Sequence, residues 1–164
     1  MSGLILDASA TLAWIFQRTD PAEVQIANEL LARFQVEEAL VPAIWFPEVA
    51  NGLLVAERRA QCDAAKSIYF LSRINGLPIK EDAAGPSATQ AASVALGRAH
   101  KLTAYDATYL ELAVRSGRTL ATFDRKLAEA ARMAGVKVFG DPSMMDIPSR
   151  AASSLPPFYP ESTG

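Results

Sequence analysis

The chain has 164 residues, half of them apolar and 21% charged, enough to bury one substantial core within one domain. Sixteen lysines and arginines against eighteen acids give a formal charge of −2, which excludes a globally basic nucleic-acid binder and leaves room only for local basic patches. A single cysteine, Cys62, rules out an intramolecular disulfide, and no unbroken apolar run reaches the length of a membrane span. The opening segment carries Asp7 inside its apolar stretch and has no basic leader region, so a signal peptide is not expected and a cytoplasmic location is.

Short apolar runs alternate with longer helical patterns, which predicts a mainly parallel sheet of about five strands with helices on both faces, a three-layer α/β/α arrangement. Leu4-Ile5-Leu6 reads as a buried strand. Asp20-Pro21 starts a helix that runs to about Phe34. Leu40 to Ile44 reads as a second strand, followed by a helix opened by Pro47 and ending near Arg59. A further helix spans Asp63 to Ile74, and Leu77 to Lys80 is an edge strand because Pro78 cannot donate to a central ladder. Ser87 is expected to cap a helix reaching His100, and another starts near Asp106 and stops at Gly117. Thr119 to Thr122 forms a strand, Lys126 to Ala134 a helix, and Val136 to Phe139 the last strand. From there five prolines interrupt the pattern, so residues 1–140 are read as the folded domain and 141–164 as a proline-rich tail.

Four acids stand out by position. Asp7 follows the first strand, Glu48 falls in the first turn after the second, Asp106 opens a helix, and Asp124 lies two residues beyond the strand ending at Thr122. In βαβ units the carboxyl end of a strand meets the amino end of the next helix, so all four are expected at one edge of the sheet, where open α/β folds bind ligands. Taken singly, Asp106 and Asp124 read equally well as helix caps and Glu48 as a solvated first-turn acid. Asp7 does not, because a carboxylate beside an apolar strand needs a partner. Gathered together the four repel, and a divalent cation relieves this; all-oxygen donors suit Mg²⁺ or Mn²⁺. Zinc is disfavoured, since His100 and Cys62 are the sole residues of their kinds and read as ordinary helix residues.

At these residues the chain resembles the PIN-domain family and, within it, the VapC toxins. The resemblance is carried by LILDAS (Asp7, Ser9), PEVANGL (Glu48, Asn51), LTAYDATYLELA (Asp106) and LATFDRKL (Thr122, Asp124), and covers about residues 3–139. It implies a PIN-like fold and a metal-dependent endoribonuclease in which Asp7, Glu48, Asp106 and Asp124 are catalytic and line a Mg²⁺ or Mn²⁺ site. Ser9, Asn51 and Thr122 are then polar residues that orient ligands or water. It also implies a VapB-like antitoxin as partner, RNA as substrate and a homodimer as the assembly. The alternatives are a housekeeping PIN nuclease or a non-catalytic PIN-like scaffold. An acid-nucleophile phosphohydrolase is disfavoured, because it needs a second aspartate where Ser9 stands. Trp14, Trp45 and Phe46 serve either as core anchors or as platforms for bases. Arg58 and Arg59 suit either the helix dipole or an RNA phosphate.

Overall fold

The computed structural model describes residues 3–16 and 18–141. Apart from Asp141, the expected proline-rich tail lies outside the described residues.

Four short parallel strands form one sheet: β1 (Leu4–Leu6), β2 (Ala39–Val41), β3 (Ile79–Glu81) and β4 (Thr119–Ala121), in the order β3-β2-β1-β4. Strand β1 is paired on both sides and wholly buried, which is why its three residues are all large and aliphatic. Strand β3 lies at the edge and exposes Lys80 and Glu81, and Pro78 precedes it where no ladder donor is needed. The expected last strand, at Val136 to Phe139, is reduced to a single parallel bridge between Leu120 and Val138. Gly140, at φ 92, turns the chain there against Ile26, so the ladder ends after two hydrogen bonds to Leu120.

Seven helices surround the sheet among the described residues: α1 (Ala8–Leu12), α2 (Pro21–Arg33), α3 (Trp45–Arg58), α4 (Ala64–Ile74), α5 (Pro86–His100), α6 (Ala104–Ser116) and α7 (Arg125–Met133). Most starts are chemically marked. The Asp20, Asp63, Thr103 and Asp124 side chains each accept a backbone N–H of the first turn. Three starts differ from the sequence reading, among them that of α6, which begins at Ala104 rather than near Asp106. Gly85, not Ser87, caps α5, with Pro86 in the first helical position, where its missing N–H is harmless. Helix α3 begins at Trp45, two residues before Pro47. The short α1 is an addition, and Cys62 lies just before α4 rather than within a helix. The core joins β1, β2 and β4 to the inner faces of α2, α3, α4, α6 and α7, with Tyr109, Phe70 and Leu110 among its most deeply buried side chains. Trp14 and Trp45 belong to it, whereas Phe46 is 47% exposed.

Strand order fixes where a site can form. From β1 the chain steps to β2 and β3 on one side, then crosses back to β4 on the other. The β1/β4 boundary is therefore the topological switch point, where connections diverge and leave a crevice beyond the carboxyl ends of the strands.

Candidate active site

Asp7 and Thr122 follow the last paired residues of β1 and β4, Leu6 and Ala121, and so sit side by side at the switch point. The Asp7 N–H still donates to the Ala121 carbonyl at 3.0 Å, extending the ladder by one bond and fixing where the carboxyl projects. Asp7 Oδ2 accepts two hydroxyl protons, from Ser9 at 2.5 Å and from Thr122 at 2.6 Å. These protons are aimed by the backbone. Ser9 Oγ accepts the Phe123 N–H at 2.9 Å and Thr122 Oγ1 accepts the Asp124 N–H at 3.0 Å, so each hydroxyl has its own proton left for the carboxylate. The turn 122–124 and the start of α1 thus hold Asp7 between them.

Glu48 lies in the first turn of α3, and its Oε2 accepts a hydrogen bond from the Tyr109 hydroxyl of α6. Tyr109 is fully buried and stands one helical turn after Asp106, which links the second and third acids through one helix. The approach of α3 to α1 depends on Gly52, one turn beyond Glu48. A Cβ there would lie 2.4 Å from Leu12 Cδ1, so a larger residue would push the Glu48 helix away from the Asp7 helix unless Leu12 moved. Trp45 Nε1 donates to Thr11 Oγ1 at 3.0 Å, and Thr11 in turn donates to the Asp7 carbonyl, a second tie between the helices. Asp106 sits in the first turn of α6, where Thr103 Oγ1 caps its backbone N–H. Asp124 caps α7 through a 2.8 Å bond from the Leu127 N–H.

The four acids feel one another. Burial raises the Asp7 carboxyl above its ordinary range, the bonds from Ser9 and Thr122 pull it down, and the charge of Asp106 pushes it up again. Glu48 is raised by burial, against the Tyr109 hydrogen bond, with Asp7 and Asp106 adding repulsion. Asp106 is raised by burial and by Asp124, against Thr103 and the partly compensating charge of Lys126. The Tyr109 phenol is driven well above its usual range by burial and by the Asp7 and Glu48 charges, so it is a fixed proton donor. Among the described residues no lysine or arginine forms an ion pair with any of the four.

Of the expected polar neighbours, Ser9 and Thr122 are in place. Asn51 is on the same helix as Glu48, but is exposed and makes no side-chain hydrogen bond among the described residues. Tyr109 and Thr103 were not foreseen. The signal for Tyr109 was its three-residue spacing from Asp106 on an amphipathic helix, and for Thr103 its place before that helix. Arg18 stacks on the Phe123 ring at 4.3 Å while bonded to Glu23, and so borders the same turn.

The arrangement is that of an α/β domain with a cluster of acids at its switch point. The PIN domain family model matches residues 4–133, and the chain belongs to that family. Members of the family are generally metal-dependent nucleases that typically use divalent ions, so the class of function here is nuclease-type. The crystal structure of PAE2754 from Pyrobaculum aerophilum is similar in fold, with a TM-score of 0.59 and 24% identity over 79% of this chain and 87% of that one. No curated protein matches the chain significantly.

Among the described residues no three carboxylate, histidine or cysteine side chains form a ready-made cage for a metal ion. The donors fit a different kind of binding. Mg²⁺ and Mn²⁺ are hard ions suited to oxygen, and Mg²⁺ in particular keeps several waters and needs only one or two carboxylates. Three acids raised by burial and mutual repulsion, with no described ion pair, supply the charge such an ion needs.

Proposed function

We propose that this chain is a VapC-like toxin of a type II toxin–antitoxin pair, an endoribonuclease that hydrolyses RNA phosphodiester bonds with Mg²⁺ or Mn²⁺. The observation that carries the reading is the convergence of Asp7, Glu48, Asp106 and Asp124, repelling one another and without ion-pair partners among the described residues, at the switch point of a PIN domain. Asp7, Asp106 and Asp124 would hold the ion, with Glu48 as a further ligand or as the group that positions water. When bound, the ion supplies positive charge to the phosphodiester and lowers the barrier to attack by water. Glu48 is suited to receive a proton from that water, since Tyr109 holds Oε2 and no described hydrogen bond engages Oε1. The hydrogen bonds from Ser9 and Thr122 favour the ionised form of Asp7, against burial, and align it.

A toxin requires restraint, and α3 offers a place for it. Phe46, Ala50 and Leu54 form an exposed stripe at four-residue spacing that begins beside Glu48. An amphipathic helix of a VapB-like antitoxin would cover this stripe and extend an arginine to the carboxylates in place of metal and phosphate. A homodimer acting in the cytoplasm completes the reading.

The test is cleavage of total cellular RNA by the purified chain with Mn²⁺, with chelator, and as Asp7→Asn or Asp106→Asn. Either substitution should reduce cleavage by orders of magnitude and leave the fold intact. Expressed alone, the wild type should arrest growth and Asp7→Asn should not. Cleavage without growth arrest or a stable small partner would make this a housekeeping PIN nuclease. Absence of both cleavage and cation binding would make it a scaffold.

A further inference from the structure

We infer that a groove beside the catalytic edge receives one unpaired nucleobase of the RNA, adjacent to the bond that is cut. This rests on the ribonuclease reading and adds to it a site for sequence choice.

The groove encloses ≈ 650 Å³ between the β2–α3 turn and helices α5 and α6. It adjoins the acidic cluster through the backbone: Pro47 and Tyr105 line it, and they are the chain neighbours of Glu48 and Asp106. A strand with its scissile phosphate at the carboxylates would therefore have a flanking nucleotide at the groove mouth. Its chemistry suits a base better than a phosphate. The walls are largely apolar, and both carboxylates that line it, Asp82 and Glu111, are already bound by Arg115, at 2.6 and 2.8 Å. Neither lysine nor arginine lines it, so nothing there would hold a phosphate.

Two side chains look unfinished without an occupant. Tyr105 is 61% exposed and makes no described ring contact, leaving a flat face for stacking. Ser93 also lines the groove; it is only 5% exposed, yet its hydroxyl has no hydrogen-bond partner among the described residues. A buried polar atom without a partner calls for an explanation, and the polar edge of a base entering the groove supplies one. Paired bases present neither face nor edge to such a groove, so the substrate is single-stranded or looped at this position.

The experiment uses the full chain with Mn²⁺ and short RNAs randomised around one cleavage position, with the cut ends sequenced. The wild type should show a strong base preference at one nucleotide flanking the cut. Tyr105→Ala and Ser93→Ala should keep metal-dependent cleavage but reduce the kcat/KM ratio between favoured and disfavoured bases by about fivefold or more, the scale of one lost stacking contact. Tyr105 is exposed and Ser93→Ala removes only an unpartnered hydroxyl, so both variants should fold. A wild type that cuts without flanking preference, or variants that keep the preference intact, would overturn the inference while the nuclease reading stands. A Tyr105→Ala chain that loses self-association would assign the groove to a second copy of this chain and overturn it as well. No cleavage by the wild type would remove the nuclease reading and this inference together.

Discussion

Replacing Thr122 by valine tests the construction of the site in one step. The two side chains have nearly the same shape, so no cavity opens and the effect isolates the hydroxyl. That hydroxyl donates to Asp7 Oδ2 at 2.6 Å and accepts from the Asp124 N–H at 3.0 Å, and it also lies 3.2 Å from the Ser9 hydroxyl, which keeps its own bonds to Asp7 and the Phe123 N–H. A hydrogen bond to a charged group contributes about 1.5–3 kcal/mol, and a buried N–H left without an acceptor costs about 1–3 kcal/mol. Asp124 is only half-buried, so water can reach its N–H, and the second contribution belongs at the low end. Thr122→Val should therefore destabilise the metal-free protein by about 2–4 kcal/mol, and Thr122→Ser, which keeps both bonds, by less than about 1 kcal/mol. Urea denaturation at pH 8 with chelator measures this. A Mn²⁺ titration of the same variants measures the consequence: without the Thr122 proton, Asp7 shifts further toward its neutral form and the cation binds more weakly. A Thr122→Val protein within about 0.5 kcal/mol of wild type would show that these hydroxyl bonds do not hold the turn to Asp7.

Asp7, Glu48 and Asp106 are raised in the fold, so between their ordinary and raised values the folded chain binds more protons than the unfolded one. Their contribution is fully present at acid pH and is lost as pH rises through the folded pKa values. With chelator, wild type should thus lose stability relative to Asp7→Asn as pH increases from the ordinary carboxylate range upward; parallel denaturation curves for the two would refute this. Tyr109→Phe removes the one described donor to Glu48 while keeping the core ring, and should cut cleavage about tenfold, equivalent to 1.4 kcal/mol in the barrier. An unchanged kcat would show that Glu48 needs no tether. Helix α6 ends at Gly117 with φ 65, so Gly117→Ala should cost about 1 kcal/mol, whereas Lys101→Gly, at φ 54 after α5, should gain a similar amount. Opposite signs in urea melts would contradict the left-handed assignment at these two ends.

What the sequence discloses here is local chemistry. Aspartate before proline, aspartate before an apolar helix and glycine after one each act through their immediate neighbours, and the structure has α2, α4, α6 and α7 bounded by such signals. The order of the four acids along the chain and their places at element ends were legible for the same reason. Helix α1 was not. Its five residues are too few to be helical on propensity alone, and they are held by Asp7, Thr11 and the indole of Trp45, which lies 34 residues away from Thr11. Strand length also escaped notice: Val136 to Phe139 has strand composition, but the turn at Gly140 and its contact with Ile26 leave only one bridge. Tyr109 lies in the core; that its hydroxyl meets Glu48 depends on how α3 crosses α6, which no spacing within either helix reveals. Asn51, offered by the resemblance as a polar neighbour, is exposed on α3 three residues beyond Glu48, and spacing along the helix does not say whether it looks at the other acids.

The same geometry explains why the site should be stable only as a compromise. Burying β1 on both sides anchors the sheet, but it also carries Asp7 into a place where its charge is poorly hydrated and faces Glu48 and Asp106. Two hydroxyls and the backbone that orients them offset part of that penalty, and their removal exposes it. Neutralising Asp7 relieves it from the other side, by removing a buried charge and its repulsion. The substitution that best stabilises the metal-free fold should therefore be one that abolishes cation binding, the trade expected where a strained group is kept for its chemistry rather than for the fold.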